Sequence, residues 1–357
     1  MRDTSISTLT NADIAELLAA AAESAKQPLQ KALRRASRKS FLWPEEATTL
    51  IEQGRSLEEL PGIGPSLSRI VKRWLESPPE ELRSPPEIRR GFQTIVQARA
   101  ILDHHPEWRN SVKGDLQMHS VWSDGTASIA EMAQAAMEYG HLYIAITDHA
   151  KGLKIAGGID EQQLEEQGEE IARINEQTAN DKKLFRVLRS IELNLNVAGE
   201  GDMELQALAK QDIVLGCFHS ALRKKDDQTE RYLAAIRNPA IQILGHPRGR
   251  IYNFRLGLTA DWRRVFDTAA ELDKAVEIDC YPDRQDISPD LLKLAAKAGC
   301  RISLGTDSHG PPQLRFIEFG LAAAITAGIK RERILNFMPV RELLQWVGSV
   351  RESSVRR

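Results

Sequence analysis

The chain has 357 residues, 42% of them hydrophobic, and a formal net charge of −2. These values are ordinary for a globular protein with a substantial core, and they give no overall electrostatic attraction to nucleic acid. Its apolar runs fall far short of the roughly 20 residues that a membrane span needs, and no signal peptide is visible. Cys217, Cys280 and Cys300 lie in strand-like contexts, which predicts buried free thiols and a cytoplasmic protein.

The first part of the chain, to about residue 78, has the pattern of a small all-α domain. "NADIAELLAAAAESA" carries apolar residues at helical spacing, and "PLQKALRRASRKSFLW" and "PEEATTLIEQG" predict shorter helices. Residues 26–99 contain 14 Lys or Arg and 9 Asp or Glu. This part of the chain therefore carries a charge of about +5, in contrast to the chain as a whole.

A glycine turn lies inside this basic region. "SLEELPGIGPSLSRIVKRWLES" predicts a helix, a Gly-Ile-Gly turn and a second helix, which fits the helix-hairpin-helix pattern. The glycines let backbone N–H groups approach a phosphate, and the following helix N-terminus favours negative charge. We predict contacts to the DNA backbone by Gly62, Ile63 and Gly64, with Lys72 and Arg73 nearby. An ordinary tight bend between two helices is the alternative.

A different architecture begins after a proline-rich stretch, "SPPEELRSPPEIRRGF", which indicates a linker over residues 79–112. From residue 113, short β-rich runs such as "LYIAITDH", "DIVLGCFHS" and "CRISLGTDSH" alternate with helical stretches. This alternation predicts a parallel α/β fold over residues 113–350. Polar residues at the strand ends favour a closed barrel over an open sheet, since barrel enzymes carry their chemistry there.

Ten polar side chains follow the predicted strands: Gln117, His119, Asp124, Asp148, His149, Glu192, His219, His246, Asp307 and His309. Each alone is explained by a structural hydrogen bond, but so many imidazoles and carboxylates at one rim indicate metal coordination. The other three histidines, His104, His105 and His141, lie in helix or linker contexts, and we expect them at the surface.

The ordered segments "GDLQMHSVWSDG", "ITDHAKGLKIAGGI", "SIELN", "DIVLGCFHS", "GHPRGR", "EIDCYPDRQD" and "LGTDSH" resemble the polymerase and histidinol phosphatase (PHP) superfamily. The resemblance covers residues 113–345 and is strongest to the C-terminal PHP domain of bacterial family X DNA polymerases. It implies a distorted seven-stranded (β/α) barrel that holds two or three divalent ions, Mn or Zn. The N-terminal helices also resemble the small first domain of these polymerases. Residues 78–112 are too few for a polymerase palm of ordinary domain size, so we expect no polymerisation.

The resemblance also implies which residues hold each ion. The first ion is held by Gln117, His119, Glu192 and Asp307. The second is held by Glu192, as a bridge, with His219 and His246. The third is held by Asp124, His149 and His309. Gln117 stands where the superfamily usually has His, and an amide oxygen is a weaker ligand than imidazole for zinc-like ions. We therefore expect a weakened first site with retained activity.

The expected chemistry is hydrolysis of a phosphate ester. Two ions would lower the pKa of a bridging water and supply hydroxide for in-line attack on phosphorus. The predicted catalytic residues are His119, Glu192, Asp307 and Arg248. Asp148 is expected to orient a ligating imidazole. Arg248, Arg250, Arg284, Lys151 and Lys154 either bind phosphate oxygens or form salt bridges at the rim.

Three functions fit these residues. The first is a metal-dependent phosphoesterase acting on DNA ends, as a 3′–5′ exonuclease, a 3′-phosphatase or an abasic-site nuclease. The second is a small-molecule phosphatase of the histidinol phosphatase type, which predicts no loss of activity when residues 1–78 are removed. The third is a non-catalytic DNA-binding protein with a relic barrel, for which Gln117 is the only support.

Overall fold

The computed structural model describes residues 9–79 and 84–355. The N-terminal part contains α1 (Asn11–Ser24), α2 (Leu29–Lys39), α3 (Ala47–Glu52) and α4 (Pro65–Glu76). A capping box begins α1, because the Thr10 hydroxyl accepts from the Asp13 amide and the Asp13 carboxylate accepts from the Thr10 amide. The expected first helix of the hairpin is only a 3₁₀ turn, Leu57–Glu59. Leu60 is extended because it precedes a proline, and this ends the helix.

The barrel has eight short strands. These are β1 (Gly114–Asp115), β2 (Tyr143–Ile146), β3 (Arg186–Arg189), β4 (Glu192–Asn194), β5 (Leu215–Cys217), β6 (Ile243–Leu244), β7 (Ala275–Asp279) and β8 (Arg301–Gly305). They form two parallel sheets, ordered β1-β2-β3 and β4-β5-β6-β7-β8. In register, Tyr143 of β2 lies opposite Arg186 of β3, and Ala275 of β7 lies opposite Arg301 of β8.

The two sheets join into one ring. Only two residues separate β3 from β4, so they act as one interrupted strand. Parallel bridges link His149 to Glu192 and Met118 to Ser308, and the second bridge closes the barrel between β1 and β8. The ring therefore has seven strand positions, and the predicted distorted seven-stranded barrel is confirmed.

Helices surround this ring. They are α7 (Ile129–Glu138), α8 (Glu161–Asn180), α9 (Leu205–Ala209), α10 (Thr229–Arg237), α11 (Trp262–Glu271), α12 (Pro289–Ala298), α13 (Ile317–Ala327) and α14 (Val340–Val355). In the described parts of the chain, no helix is both long enough and apolar enough to cross a membrane. Cys217, Cys280 and Cys300 are buried and unpaired, as predicted.

The expected linker contains two further helices, α5 (Ile95–Asp103) and α6 (Pro106–Ser111). Ile95, Ala98 and Leu102 of α5 are buried in the barrel's apolar core, and Arg99 pairs with Glu318 of α13 at 2.9 Å. The apolar residues of α5 repeat at helical spacing, and they are buried because α13 offers a matching face. The predicted linker over 79–112 is therefore wrong from residue 95 onward.

His141 also differs from the prediction. It is 4% exposed rather than at the surface. Its backbone amide donates to the Ala136 carbonyl at 2.9 Å, so the chain turns back on the end of α7 at this residue. His104 is exposed and His105 is half-buried.

The N-terminal helices pack directly on the barrel. The Arg89 guanidinium binds both carboxylate oxygens of Glu16 at 2.8 Å and one oxygen of Glu23 at 2.7 Å, both in α1. The same guanidinium donates to Asn253 Oδ1, in the loop after β6, at 3.1 Å. This arginine therefore joins α1 to a loop at the rim of the barrel.

Candidate metal centre

The predicted ligands meet at the carboxyl ends of the strands. Gln117 and His119 follow β1 and share one face because side chains alternate along an extended chain. The backbone fixes them against the strand end of β8: the His119 amide donates to the Ser308 carbonyl at 2.7 Å. Asp307 and His246 have φ values of +52° and +22°, in a region that non-glycine residues rarely adopt. Such backbone strain is characteristic of functional sites.

Glu192 is the centre of the cluster. It is 1% exposed, and its Oε1 lies 2.8 Å from His219 Nε2 and 2.7 Å from His246 Nε2. Its Oε2 lies 3.3 Å from His119 Nε2 and 3.2 Å from Gln117 Nε2. Burial opposes ionisation of this carboxyl, but the surrounding imidazoles prevail and hold its pKa well below the usual range. The two carboxylate oxygens thus face two different sets of ligands.

A second carboxylate, Asp124, lies close to three imidazoles, one of which, His119, also faces Glu192. Its Oδ1 lies 3.3 Å from His309 Nε2, 3.5 Å from His149 Nε2 and 3.9 Å from His119 Nδ1. Burial lowers the pKa of His149 to about 4, so this imidazole is neutral and its lone pair is available to a cation.

The residues fit divalent ions. Among the described residues, four groups have ligand atoms within 4.8 Å of one another: His119–Asp124–His149–His309, His149–Glu192–His219, Glu192–Cys217–His246 and His119–Glu192–Asp307. The buried atoms Gln117 Oε1, His119 Nδ1 and His149 Nδ1 have no hydrogen-bond partner in the described part of the chain. Buried polar atoms are rarely left so, and imidazole with carboxylate is the donor set that Zn and Mn accept.

A cleft of about 180 Å³ opens over these ligands. Arg250, Arg255 and Arg284 line it. Arg284 forms ion pairs with Asp307 and Asp279, and Arg250 donates to the Arg284 and Gly91 carbonyls. Arg284 therefore forms salt bridges at the rim, one of its two expected roles, whereas Arg250 binds backbone carbonyls. Lys151 pairs with Glu161 at 2.7 Å.

Arg248 and Asp148 have partners that the sequence did not predict. Arg248 donates to the Leu258 carbonyl at 3.2 Å and lies 3.6 Å from Glu87, so its side chain points away from the predicted catalytic position. Asp148 accepts from the Ser120 amide at 2.8 Å and from Ser123 and Gln167 side chains rather than from an imidazole. It therefore supports the loop that leads to Asp124.

Two residues beneath the cluster were not assigned from sequence. The Cys217 sulfur lies among the atoms of Glu192 and His246. Glu277 is fully buried in β7 and accepts from the His246 amide at 2.6 Å. A charged residue in the apolar run "AVEID" was the available signal, since a buried carboxyl needs a partner.

The glycine turn lies in the N-terminal helices, outside the metal cluster. Gly62 has a φ of +88°, and a Cβ placed on it would meet Lys39 Cδ at 2.8 Å, so this position requires glycine. Gly64 caps α4, and Lys72 and Arg73 are exposed on that helix. Ile63 is 6% exposed and its amide donates to the Leu60 carbonyl at 3.1 Å. The side chain and the backbone amide of Ile63 therefore both face the protein interior, away from the predicted DNA contact.

Comparison with known proteins identifies the family. The family model described as "PHP domain" matches residues 115–303, which is more than half of the chain. The chain belongs to the PHP family. The class expected from the sequence, a metal-dependent phosphoesterase, is the one this membership supports.

Individual known proteins are also similar to this chain. The DNA polymerase/3′-5′ exonuclease PolX of Bacillus subtilis (strain 168) is 32% identical over 260 residues, which are 72% of this chain and 45% of that protein. This PHP protein thus spans less than half the length of that relative. The probable phosphatase YcdX of Escherichia coli K12 is 27% identical over 241 residues, 66% of this chain and 94% of that protein. The histidinol phosphate phosphatase of Lactococcus lactis, solved with Zn, L-histidinol and phosphate, has a TM-score of 0.45 and 18% identity, covering 61% of this chain and 94% of that one.

Proposed function

We propose that this PHP protein hydrolyses phosphate esters at DNA ends, as a 3′–5′ exonuclease, a 3′-phosphatase or both, with two or three Mn or Zn ions. The observation that carries the proposal is the Glu192 carboxylate, whose two oxygens face different ligand sets. Each of these sets would hold one ion, with Glu192 as the ligand common to both. The buried, unpaired cysteines favour a reducing compartment, and we therefore place the reaction in the cytoplasm.

Two ions held by Glu192 and its neighbours would supply an acidified water nucleophile and neutralise charge on the phosphate oxygens. The residues of the chain hold this arrangement in place. Arg284 stabilises ionised Asp307 by an ion pair. Arg255 is half-buried in the wall of the cleft and is placed to bind a phosphate oxygen. Asp148 keeps the Asp124 loop folded through the Ser120 and Ser123 contacts.

The charge of the N-terminal helices supports DNA as the substrate. Exposed cations cover one face of α2: Lys31, Arg34, Arg35, Arg38 and Lys39. Lys39 lies against Gly62 in the glycine turn. At the rim, burial raises the pKa of Asp283, and Arg284 and Arg38 of α2 both act to lower it, so α2 is within electrostatic reach of the loop after β7. A basic surface therefore runs from the turn toward the metal cluster, as backbone binding requires.

The names of the relatives agree with this choice in part. The Bacillus subtilis relative is named a polymerase and 3′-5′ exonuclease, and this chain matches 45% of it. Other relatives are named probable phosphatases.

A small-molecule phosphatase is the second candidate. The specific observation in its favour is the size of the cleft, about 180 Å³, which suits a small monoester. On this alternative the basic face of α2 has no part in the reaction.

The two candidates differ in product. Manganese-loaded protein is incubated with 5′-labelled DNA that ends in a 3′-hydroxyl or a 3′-phosphate, and with p-nitrophenyl phosphate, beside the Glu192→Ala variant. We expect stepwise shortening of the DNA or loss of its 3′-phosphate, absent in the variant. Hydrolysis of the small monoester with both DNA ends intact would overturn DNA as the substrate and support the second candidate.

A further inference from the structure

Glu277 carries an unpaired oxygen directly beneath the metal cluster. The side chain lies on β7 and is fully buried. Its Oε2 accepts from the His246 amide at 2.6 Å, whereas its Oε1 has no hydrogen-bond partner in the described part of the chain. Burial raises the pKa of Glu277 well above its usual range, so the carboxylate form needs a donor close to Oε1.

Gln117 is the neighbour that can supply the donor. It is fully buried, its Nε2 donates to Glu192 Oε2 at 3.2 Å, and its Oε1 also has no partner among the described residues. The unpaired oxygens of Gln117 and Glu277 both lie within 2.7 Å of the point where a Cβ on residue 305 would stand. Gly305 leaves this space open, so the two side chains border the same small volume.

The amide of Gln117 has two orientations related by a half-turn about its last torsion. In the orientation that the structure has, Nε2 donates to Glu192, and the oxygens of Gln117 and Glu277 face the shared space. After the half-turn, Nε2 faces Glu277 Oε1 and the amide oxygen faces Glu192 Oε2. Two acceptors repel each other unless a cation lies between them, and His119 and Asp307 surround that position.

We propose that Glu277 is a positioning residue for the metal centre: its carboxylate accepts from Gln117 Nε2 and turns the amide oxygen toward the ion held by His119, Glu192 and Asp307. This proposal rests on the proposed function, since it presumes an ion at that position. The positioning role of Glu277 also explains how a glutamine can serve as a metal ligand at position 117. A carboxylate that accepts from the amide group strengthens the negative charge on its oxygen.

The test is a titration of Mn²⁺ followed by electron paramagnetic resonance, which measures binding without turnover. Four proteins are compared: wild type, Glu277→Gln, Gln117→Met, and the double variant. In Glu277→Gln the His246 amide still requires an acceptor, so the new NH₂ group faces Gln117 and favours the orientation that repels a cation. We expect one class of sites to weaken by about ten- to one-hundredfold in each single variant, as is typical for outer partners of metal ligands.

The double variant separates positioning from general damage. If Glu277 acts through Gln117, then Glu277→Gln has no further effect on Mn²⁺ affinity once Gln117 is methionine. A purely structural role would weaken binding equally in both backgrounds, and this result would overturn the proposal. Unchanged affinity in Glu277→Gln would overturn it as well. Wild-type protein that binds Mn²⁺ but hydrolyses no phosphate ester refutes the proposed function alone, and wild-type protein that binds no Mn²⁺ refutes both.

Discussion

The hydroxyl oxygens of Tyr252 and Ser37 lie 3.1 Å apart and join the loop after β6 to α2. Tyr252 is 3% exposed, and its hydroxyl also donates to the Ala15 carbonyl at 3.4 Å. Its ring packs edge-on against Phe41 at 4.8 Å and Phe92 at 5.2 Å between centroids. The same loop carries Arg250 and Arg255 into the cleft. The N-terminal helices therefore help to hold one wall of the metal site.

This contact predicts a graded loss of stability. Tyr252→Phe removes the hydroxyl contacts and should lower the free energy of unfolding by about 1 kcal/mol. Tyr252→Ala also removes the buried ring and should cost about 3 kcal/mol or more. Urea denaturation measures both. If Tyr252→Ala stays within experimental error of the wild type, the packing of the helices on the barrel is not as described.

The stability of the protein should fall in mild acid because of His141. Burial lowers the pKa of this imidazole from 6.5 to about 4, so the unfolded chain takes up a proton that the folded protein resists. The contribution of His141 to the free energy of unfolding is therefore complete at neutral pH. It declines as the pH falls from about 6.5 toward 4, by about 3 kcal/mol in all.

His141→Phe keeps an aromatic ring in the buried site but removes this titration. Urea midpoints of the wild type and the variant should approach or cross each other as the pH is lowered through that window. A difference between the two proteins that is independent of pH would show that His141 is solvated.

DNA affinity should depend on Lys72 and Arg73, both exposed on α4 after the glycine turn. The double substitution Lys72→Ala, Arg73→Ala should weaken DNA binding and flatten the slope of log K against log salt by about 2, because two phosphate contacts are lost. Fluorescence anisotropy across a salt series measures the slope. Hydrolysis of p-nitrophenyl phosphate should not change.

A matched pair of lysines serves as the control. Lys293 and Lys297 are exposed on α12, on the outside of the barrel, and their replacement removes the same charge. If both double variants flatten the slope equally, the effect reflects net charge, and the glycine turn has no special role.

The ligand cluster could be predicted from sequence because the strands are parallel and short. Residues such as His119, Glu192 and His246 each lie near the end of a predicted strand, and parallel strands bring their carboxyl ends to one rim. The direction of Arg248 could not be predicted, since it depends on the turn after His246, whose φ is +22°. The partners of Asp148 come from two loops and a helix, which no local pattern brings together.

The contacts between the N-terminal helices and the barrel could not be predicted from the sequence for a similar reason. Ser37 and Tyr252 are 215 positions apart, and neither residue type indicates an interface. The packing of α5 was partly visible, because Ile95, Ala98 and Leu102 have helical spacing, but the prolines before it indicated a linker more strongly.

At a hydrolytic centre of the proposed kind, Glu192 would be a ligand common to two ions. The most direct measurement compares the wild type and Glu192→Gln for Mn²⁺ bound per chain and for hydrolysis of the p-nitrophenyl ester of thymidine monophosphate. We expect a folded variant that binds at least one fewer ion and loses activity by about a hundredfold or more. Full Mn²⁺ content and unchanged hydrolysis in the variant would show that two ions do not share Glu192.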